Sequence, residues 1–96
     1  MKIDKIIISK HAAEHIKKHG LEKREVVEAI RGKQIYVKRA KSKTPAKSRY
    51  YIVGKTMGGC FITIIVERVV DAIFQLITAR PSTSREKTLY KRREGV

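Results

Sequence analysis

Three short apolar segments follow one another in the second half of the chain, and they restrict the fold more than any other feature. They span residues 49–55, 60–66 and 70–78. Met57-Gly58-Gly59 separates the first two and is typical of a hairpin turn, and we expect a second turn near Glu67-Arg68. Strands joined by such short connections pair with their neighbours in an antiparallel meander. Their apolar character predicts that at least one face of the sheet is covered.

The first third of the chain predicts one strand followed by two helices. Residues 3–8 are apolar and β-branched, which favours a strand. Ser9 can cap a helix over residues 11–19, and Gly20 stands where glycine commonly ends a helix. A second helix is expected over residues 22–31, because acidic residues fill its first turn.

The remaining elements are a strand, a loop and a final helix. Residues 34–39 favour a strand, whereas residues 40–48 hold a proline and three lysines and predict a mobile loop. Thr83 and Glu86 have the spacing of a capping box, which predicts a helix over residues 84–92. We therefore expect all 96 residues to form a single α+β domain.

The charge balance indicates a polyanionic partner. The chain has 23 Lys and Arg against 9 Asp and Glu, and its formal net charge is +14. Binding to nucleic acid would relieve the repulsion among these cations, and an acidic protein or a merely solvated basic surface is the alternative. The candidate nucleic-acid-binding residues are Lys41, Lys43, Lys47, Tyr51, Arg85, Lys87, Lys91, Arg92 and Arg93.

Two positions favour phosphate binding in particular. Arg49, Tyr51 and Lys55 share one face of their strand, where cations can hold phosphate and the ring can stack on a base. The alternative is an ordinary exposed sheet face. Arg80 ends the last strand beside the start of the final helix, a favourable place for an anion. Alternatively, Arg80 holds that helix by pairing with an acidic residue, Glu67 or Asp71.

The histidines and the cysteine are expected to hold no metal. His11, Glu14 and His15 spell an inverted zinc-protease motif, but no third ligand is evident and nearby lysines repel a cation. A partly exposed amphipathic helix is the simpler interpretation, and one histidine could still carry a proton at an RNA site. Cys60 is the only cysteine, which excludes an internal disulfide, and its apolar surroundings predict a buried thiol.

No cofactor or membrane segment is expected. The chain contains neither of the glycine-rich motifs that bind nucleotide phosphates. No apolar stretch approaches the length of a membrane span, and the opening residues are too short an apolar run for a signal peptide. These observations predict a cytoplasmic protein.

Several short motifs in the second half occur together as they do in a known family. They are Arg49-Tyr50, Gly54-Lys55-Thr56, Gly58-Gly59, Glu67-Arg68 and Ile77-Thr78-Ala79-Arg80-Pro81, with Glu86 and Tyr90 in the final helix. The set resembles the BrnT toxins of the RelE-like group, which belong to type II toxin–antitoxin pairs. The resemblance extends over roughly residues 10–93 and is closest in the final motif. The segment from residue 9 to 15 is more similar to a related group of small domains whose function is not established.

The resemblance implies a RelE-like fold, metal-independent cleavage of RNA, and a DNA-binding antitoxin as partner. Such cleavage needs a base for the ribose 2′-OH, cations for the phosphorane and an acid for the leaving oxygen. The implied catalytic residues are Arg49, Lys55, Glu67, Arg80, Tyr90 and His19. The three cations would stabilise charge, Glu67 or His19 would be the base, and Tyr90 or His19 the acid. A non-catalytic RNA- or DNA-binding module, or an interaction domain for an acidic partner, is the alternative.

Overall fold

A five-stranded mixed sheet with three helices confirms the predicted α+β architecture. The computed structural model describes residues 3–32, 35–40 and 48–94. Its elements are β1 (Lys5–Ile7), α1 (Lys10–Lys17), α2 (Lys23–Ile30), β2 (Tyr36–Ala40), β3 (Arg49–Lys55), β4 (Phe61–Val70), β5 (Ile73–Pro81) and α3 (Ser84–Glu94). The strand order is β1-β5-β4-β3-β2. Strands β2 to β5 form the predicted antiparallel meander, and β1 pairs in parallel with β5.

The two faces of the sheet are covered by different helices. Gly54 on β3 faces α2, because a Cβ atom there would lie 2.5 Å from the carbonyl oxygen of Ala29. Its neighbours on the same side join the buried cluster that α1 and α2 form with the sheet. Tyr51, which alternation places on the opposite face, instead bonds to Glu86 of α3. Helix α3 covers only part of this second face.

The helix starts follow the capping signals in the sequence. The Ala12 amide donates to Ser9 Oγ at 3.1 Å, so Ser9 caps α1 as predicted. Gly20 follows α1 with a φ of +78°, a conformation that glycine adopts without strain. At α3 the predicted capping box is confirmed: the Thr83 amide donates to Glu86 Oε1 at 2.8 Å, and the Glu86 amide donates to Thr83 Oγ1 at 3.3 Å.

The prediction of a turn near Glu67-Arg68 is wrong. Strand β4 continues to Val70, and the turn lies at Asp71, which has a φ of +49°. Glu67 stays in the sheet because its carboxylate has partners on both neighbouring strands, which the sequence spacing did not show. Register shifts on either side of Glu67 bend the strand while keeping it paired.

The prediction of a buried Cys60 is also wrong. Cys60 is exposed, because β4 begins only at the next residue and Cys60 still belongs to the hairpin turn. Its amide donates to Thr56 Oγ1 at 3.0 Å, which closes the turn. The expected loop falls almost wholly on residues 41–47, which lie outside the described residues, as does the predicted first residue of β2, Gln34.

Substitution of Gly54 tests the close packing of α2 on the sheet. We expect Gly54→Ala to lower the free energy of unfolding by about 1–3 kcal/mol, because the added methyl group forces the Ala29 backbone away. Urea unfolding measures this value. Gly58→Ala is the matched control, since a Cβ atom there meets nothing closer than 3.8 Å. Equal stabilities of the two variants would contradict the packing that we describe.

Candidate functional site

A groove of about 530 Å³ lies on the part of the sheet that α3 leaves uncovered. We call it the basic groove; its lining residues are Lys38, Arg39, Ala40, Tyr51, Arg80, Thr83, Arg85, Glu86 and Leu89. Strand β2 forms one wall and α3 the other. Four of these side chains are cationic and one is a carboxylate, so the groove attracts anions. Its volume is within the range of pockets that bind small ligands.

Glu86, at the base of the groove, is surrounded by hydrogen-bond donors. Arg80 donates to both of its oxygens, from Nη1 to Oε1 at 2.6 Å and from Nη2 to Oε2 at 2.8 Å. The Tyr51 hydroxyl donates to Oε2, and the Thr83 amide donates to Oε1 at 2.8 Å. The side chain of Glu86 is only 8% exposed. We call Tyr51, Arg80, Thr83 and Glu86 the Glu86 cluster; it joins β3, β5 and α3.

The Glu86 cluster fixes the charge of its members over the neutral pH range. Burial raises the pKa of Glu86, but the hydrogen bonds from Arg80, Thr83 and Tyr51 outweigh burial and hold that pKa at about 2. Burial and the adjacent Glu86 carboxylate raise the pKa of Tyr51 to about 12. Glu86 is therefore a carboxylate and Tyr51 a neutral phenol at pH 7, and neither pKa is near the value expected of a general acid or base.

The two acidic partners that the sequence suggested for Arg80 are both wrong. Arg80 pairs with Glu86, and neither Glu67 nor Asp71 is its partner. The sequence identified Glu86 as a helix cap, but it did not show that the same carboxylate would meet Arg80. A carboxylate at the third position of a helix lies beside the strand that leads into that helix. A cation at the end of that strand can therefore reach it.

A second ion pair lies on the same face of the sheet. Arg49 Nε is 3.0 Å from Glu67 Oε1, and Gln75 Nε2 donates to Glu67 Oε2 at 2.9 Å. These three residues are direct neighbours across β3, β4 and β5. Arg49 precedes Tyr51 by two residues, which is about 7 Å along a strand. The Glu67 side chain is 4% exposed, and its carboxylate is thus held in a largely buried ion pair.

The structure brings some of the predicted catalytic residues together and separates others. Arg49, Glu67 and Arg80 share the sheet face of the basic groove. Lys55 lies at the far end of β3, and Tyr90 is buried with its ring edge against Phe61, at a centroid distance of 5.2 Å. His19 is exposed after α1, in the layer on the opposite side of the sheet.

The predicted nucleic-acid-binding residues are distributed in a similar way. Arg85 and Tyr51 line the groove, and the Tyr51 hydroxyl is engaged by Glu86. Three others are exposed elsewhere on α3: Lys87, Lys91 and Arg92. The remaining four lie outside the description, which excludes residues 41–47 and the side chain of residue 93: Lys41, Lys43, Lys47 and Arg93.

Sequence reasoning did not identify the cations of β2 as site residues. Lys38 and Arg39 line the groove because the strand order places β2 beside β3, which the sequence alone does not show. Across residues 3–32, 35–40 and 48–94, no three histidine, cysteine or acidic side chains are grouped to hold a metal ion. In the same ranges, no helix combines the length and the apolar character that crossing a membrane requires.

Comparisons with known proteins agree with this architecture. The family model described as "Domain of unknown function (DUF4258)" matches residues 8–80. No curated protein matches the chain. Among solved structures, the crystal structure of the Brucella abortus ribonuclease toxin BrnT is similar, with 22% sequence identity and a TM-score of 0.57. The similarity covers 83% of this chain and 97% of that one, and it shows a BrnT-like fold.

Replacement of Glu86 tests the role of its cluster in stability. Because the folded pKa of about 2 lies below the ordinary value of 4.5, the carboxylate stabilises the fold fully above pH 4.5. That contribution is lost as the pH falls through 2. We expect Glu86→Gln to lower the free energy of unfolding at pH 7 by about 2 kcal/mol, and to flatten its decline between pH 4.5 and 2.

Urea unfolding at several pH values provides the measurement. Glu14→Gln is the control, because Glu14 is exposed on α1 and far from α3. It should unfold as the wild type does at each pH. A Glu86→Gln protein that keeps the wild-type pH dependence would show that this carboxylate does not control it.

Proposed function

The chain belongs to the DUF4258 family, and we propose that it is the toxin of a type II toxin–antitoxin pair, which binds RNA in the basic groove and cleaves it without a metal. The observation that carries this proposal is the composition of the groove, whose lining includes four cationic residues and one carboxylate. The BrnT-like fold supports it, because the similar Brucella protein is a ribonuclease toxin. In this proposal, residues 1–96 form one domain that acts in the cytoplasm.

Each group in the groove has a distinct role in this proposal. Lys38 and Arg85 hold the phosphates on either side of the scissile bond. Arg80 stabilises the charge that develops on the phosphorane, since its guanidinium is already oriented by Glu86. Glu67, the carboxylate on the same face, accepts the 2′-OH proton while the 2′-oxygen attacks phosphorus; the P–O5′ bond breaks and the leaving oxygen takes a proton from water. Glu67 must first exchange its pairing with Arg49 for a contact with the substrate.

The proposed partner is an antitoxin that covers the same groove. The net charge of +14 favours an acidic segment as the part that binds. Such a segment would place carboxylates where the RNA phosphates bind, and the two ligands would compete. The antitoxin itself would bind DNA, in the manner that the resemblance to this toxin group implies.

RNA binding without cleavage is a second candidate function, and the state of the acid–base groups favours it. Glu86 and Tyr51 have pKa values of about 2 and 12, so neither exchanges protons readily at pH 7. Glu67 is ion-paired, Tyr90 is buried in packing contacts, and His19 lies in the other layer. A protein with this arrangement would use the groove for affinity alone.

Induced expression in a bacterial host separates the two functions. We expect the wild type to arrest growth and to degrade RNA on a gel, and the double variant Lys38→Ala/Arg85→Ala to cleave at least about tenfold more slowly. These two residues suit the test because, within the described residues, neither has an ion-pair partner. Arg80→Ala is less informative, since it also releases α3.

The matched control is Lys10→Ala/Lys17→Ala, which removes two positive charges from exposed positions on α1. It should arrest growth as the wild type does. If the wild type binds RNA but leaves it intact, the binding function replaces the nuclease. If the wild type neither arrests growth nor binds RNA, both functions fail.

The salt dependence of RNA affinity tests the groove directly. Each phosphate contact with a single strand contributes about 0.7 to the slope of log affinity against log salt concentration. We expect Lys38→Ala/Arg85→Ala to lower that slope by about 1.4, because it removes two contacts. Fluorescence anisotropy with a labelled oligoribonucleotide measures the slope. An equal loss in the Lys10→Ala/Lys17→Ala control would show that only net charge matters.

A further inference from the structure

Lys55 and Lys87 converge on the ring of Phe61, on the flank of α3 that faces away from the basic groove. Their Nζ atoms lie 5.6 and 6.0 Å from the ring centroid. We infer that these three residues, the Phe61 site, form a second nucleotide subsite, in which the lysines bind phosphate and the ring stacks on a base. This inference rests on the proposed function and names a further part of its RNA-binding surface.

The position of the lysines favours an anionic ligand. Both side chains are exposed, and two ammonium groups beside one ring repel each other unless an anion lies between them. Within the described residues, neither lysine has a carboxylate partner that would neutralise it. Each lies over the ring in a cation–π contact, and both must turn toward a bound phosphate to free the ring face for a base.

The ring itself is presented in a fixed orientation. Phe61 is half-buried, and the ring of Tyr90 packs against it edge to face at an interplanar angle of 76°. Tyr90 is buried, so it supports Phe61 from below and does not compete for a ligand. An aromatic ring supported in this way and flanked by cations matches the combination with which proteins bind single-stranded nucleic acid.

Helix α3 connects the Phe61 site to the basic groove. Arg85 lines the groove, and Lys87 is two residues later, about 200° further around the helix. The described, exposed side chains between these flanks include Thr88 and the cations Lys91 and Arg92, and the acidic Glu86 points inward. An RNA strand that crosses α3 from the groove therefore meets no exposed carboxylate from residue 84 to residue 92.

This placement gives Lys55 a different role from the one implied by the resemblance. Lys55 is four residues beyond Tyr51 on the same face of β3, about 13 Å along the strand. At that distance from Tyr51, Lys55 is suitably placed to bind a phosphate further along the same RNA strand.

Oligoribonucleotides of two lengths test the inference. A labelled dinucleotide fills only the groove, whereas an oligonucleotide of about ten residues can also reach the Phe61 site. We expect Phe61→Leu to weaken binding of the longer RNA at least about fivefold, and to leave the dinucleotide unaffected. Lys55→Gln/Lys87→Gln should also weaken binding of the longer RNA, and should lower the slope of its log affinity against log salt concentration by about 1.4. Fluorescence anisotropy measures both affinities.

The controls separate failure of this inference from failure of the proposed function. Lys10→Gln/Lys17→Gln on α1 should bind both RNAs as the wild type does, and thermal unfolding verifies that every variant is folded. Suppose that Lys55→Gln/Lys87→Gln binds the longer RNA like the wild type, while Lys38→Ala/Arg85→Ala does not. The Phe61 site is then wrong, and RNA binding in the basic groove is still supported. If the wild type binds neither RNA, the proposed function and this inference fall together.

Discussion

The Glu86 carboxylate is the interaction on which the candidate site depends. It caps α3, bonds to Tyr51 of β3 and pairs with Arg80 of β5, and so it fixes the helix relative to two strands. The direction of α3 then determines where the basic groove opens. A neutral residue in its place would leave the full positive charge of a guanidinium facing the partial positive charge of a helix N-terminus. One side chain therefore organises both the stability and the electrostatics of this face.

One face of the sheet contributes mainly to stability, and the other is suited to binding. The face under α1 and α2 carries the apolar cluster, and Gly54 allows α2 to approach within contact of β3. The face under α3 carries the ion pairs of Glu67 and Glu86 in place of a continuous apolar surface. Substitutions on the first face act on folding. The exposed cations of the second face can change without loss of the core, which suits a binding surface.

Local sequence signals predicted the elements, and long-range contacts account for what they missed. The caps at Ser9 and Thr83 and the hairpin at Gly58-Gly59 are properties of a few adjacent residues, and they were confirmed. The partner of Glu67 is on another strand, so the local sequence predicted a turn at a residue that is paired within the sheet. Lys38 reaches the groove only because β2 is the edge strand beside β3. The spacing of residues along a chain does not specify such neighbours.

The parallel pairing of β1 has a consequence for the order in which the chain folds. Lys5 lies opposite Ile73, so the first strand to be synthesised is paired with the last. The hairpins of β3 with β4 and β4 with β5 need only local loops, and they can close early. Strand β1 must wait until the ribosome has released β5. The edge of β5 therefore stays open until that point, and this pairing, the most distant in sequence, covers it.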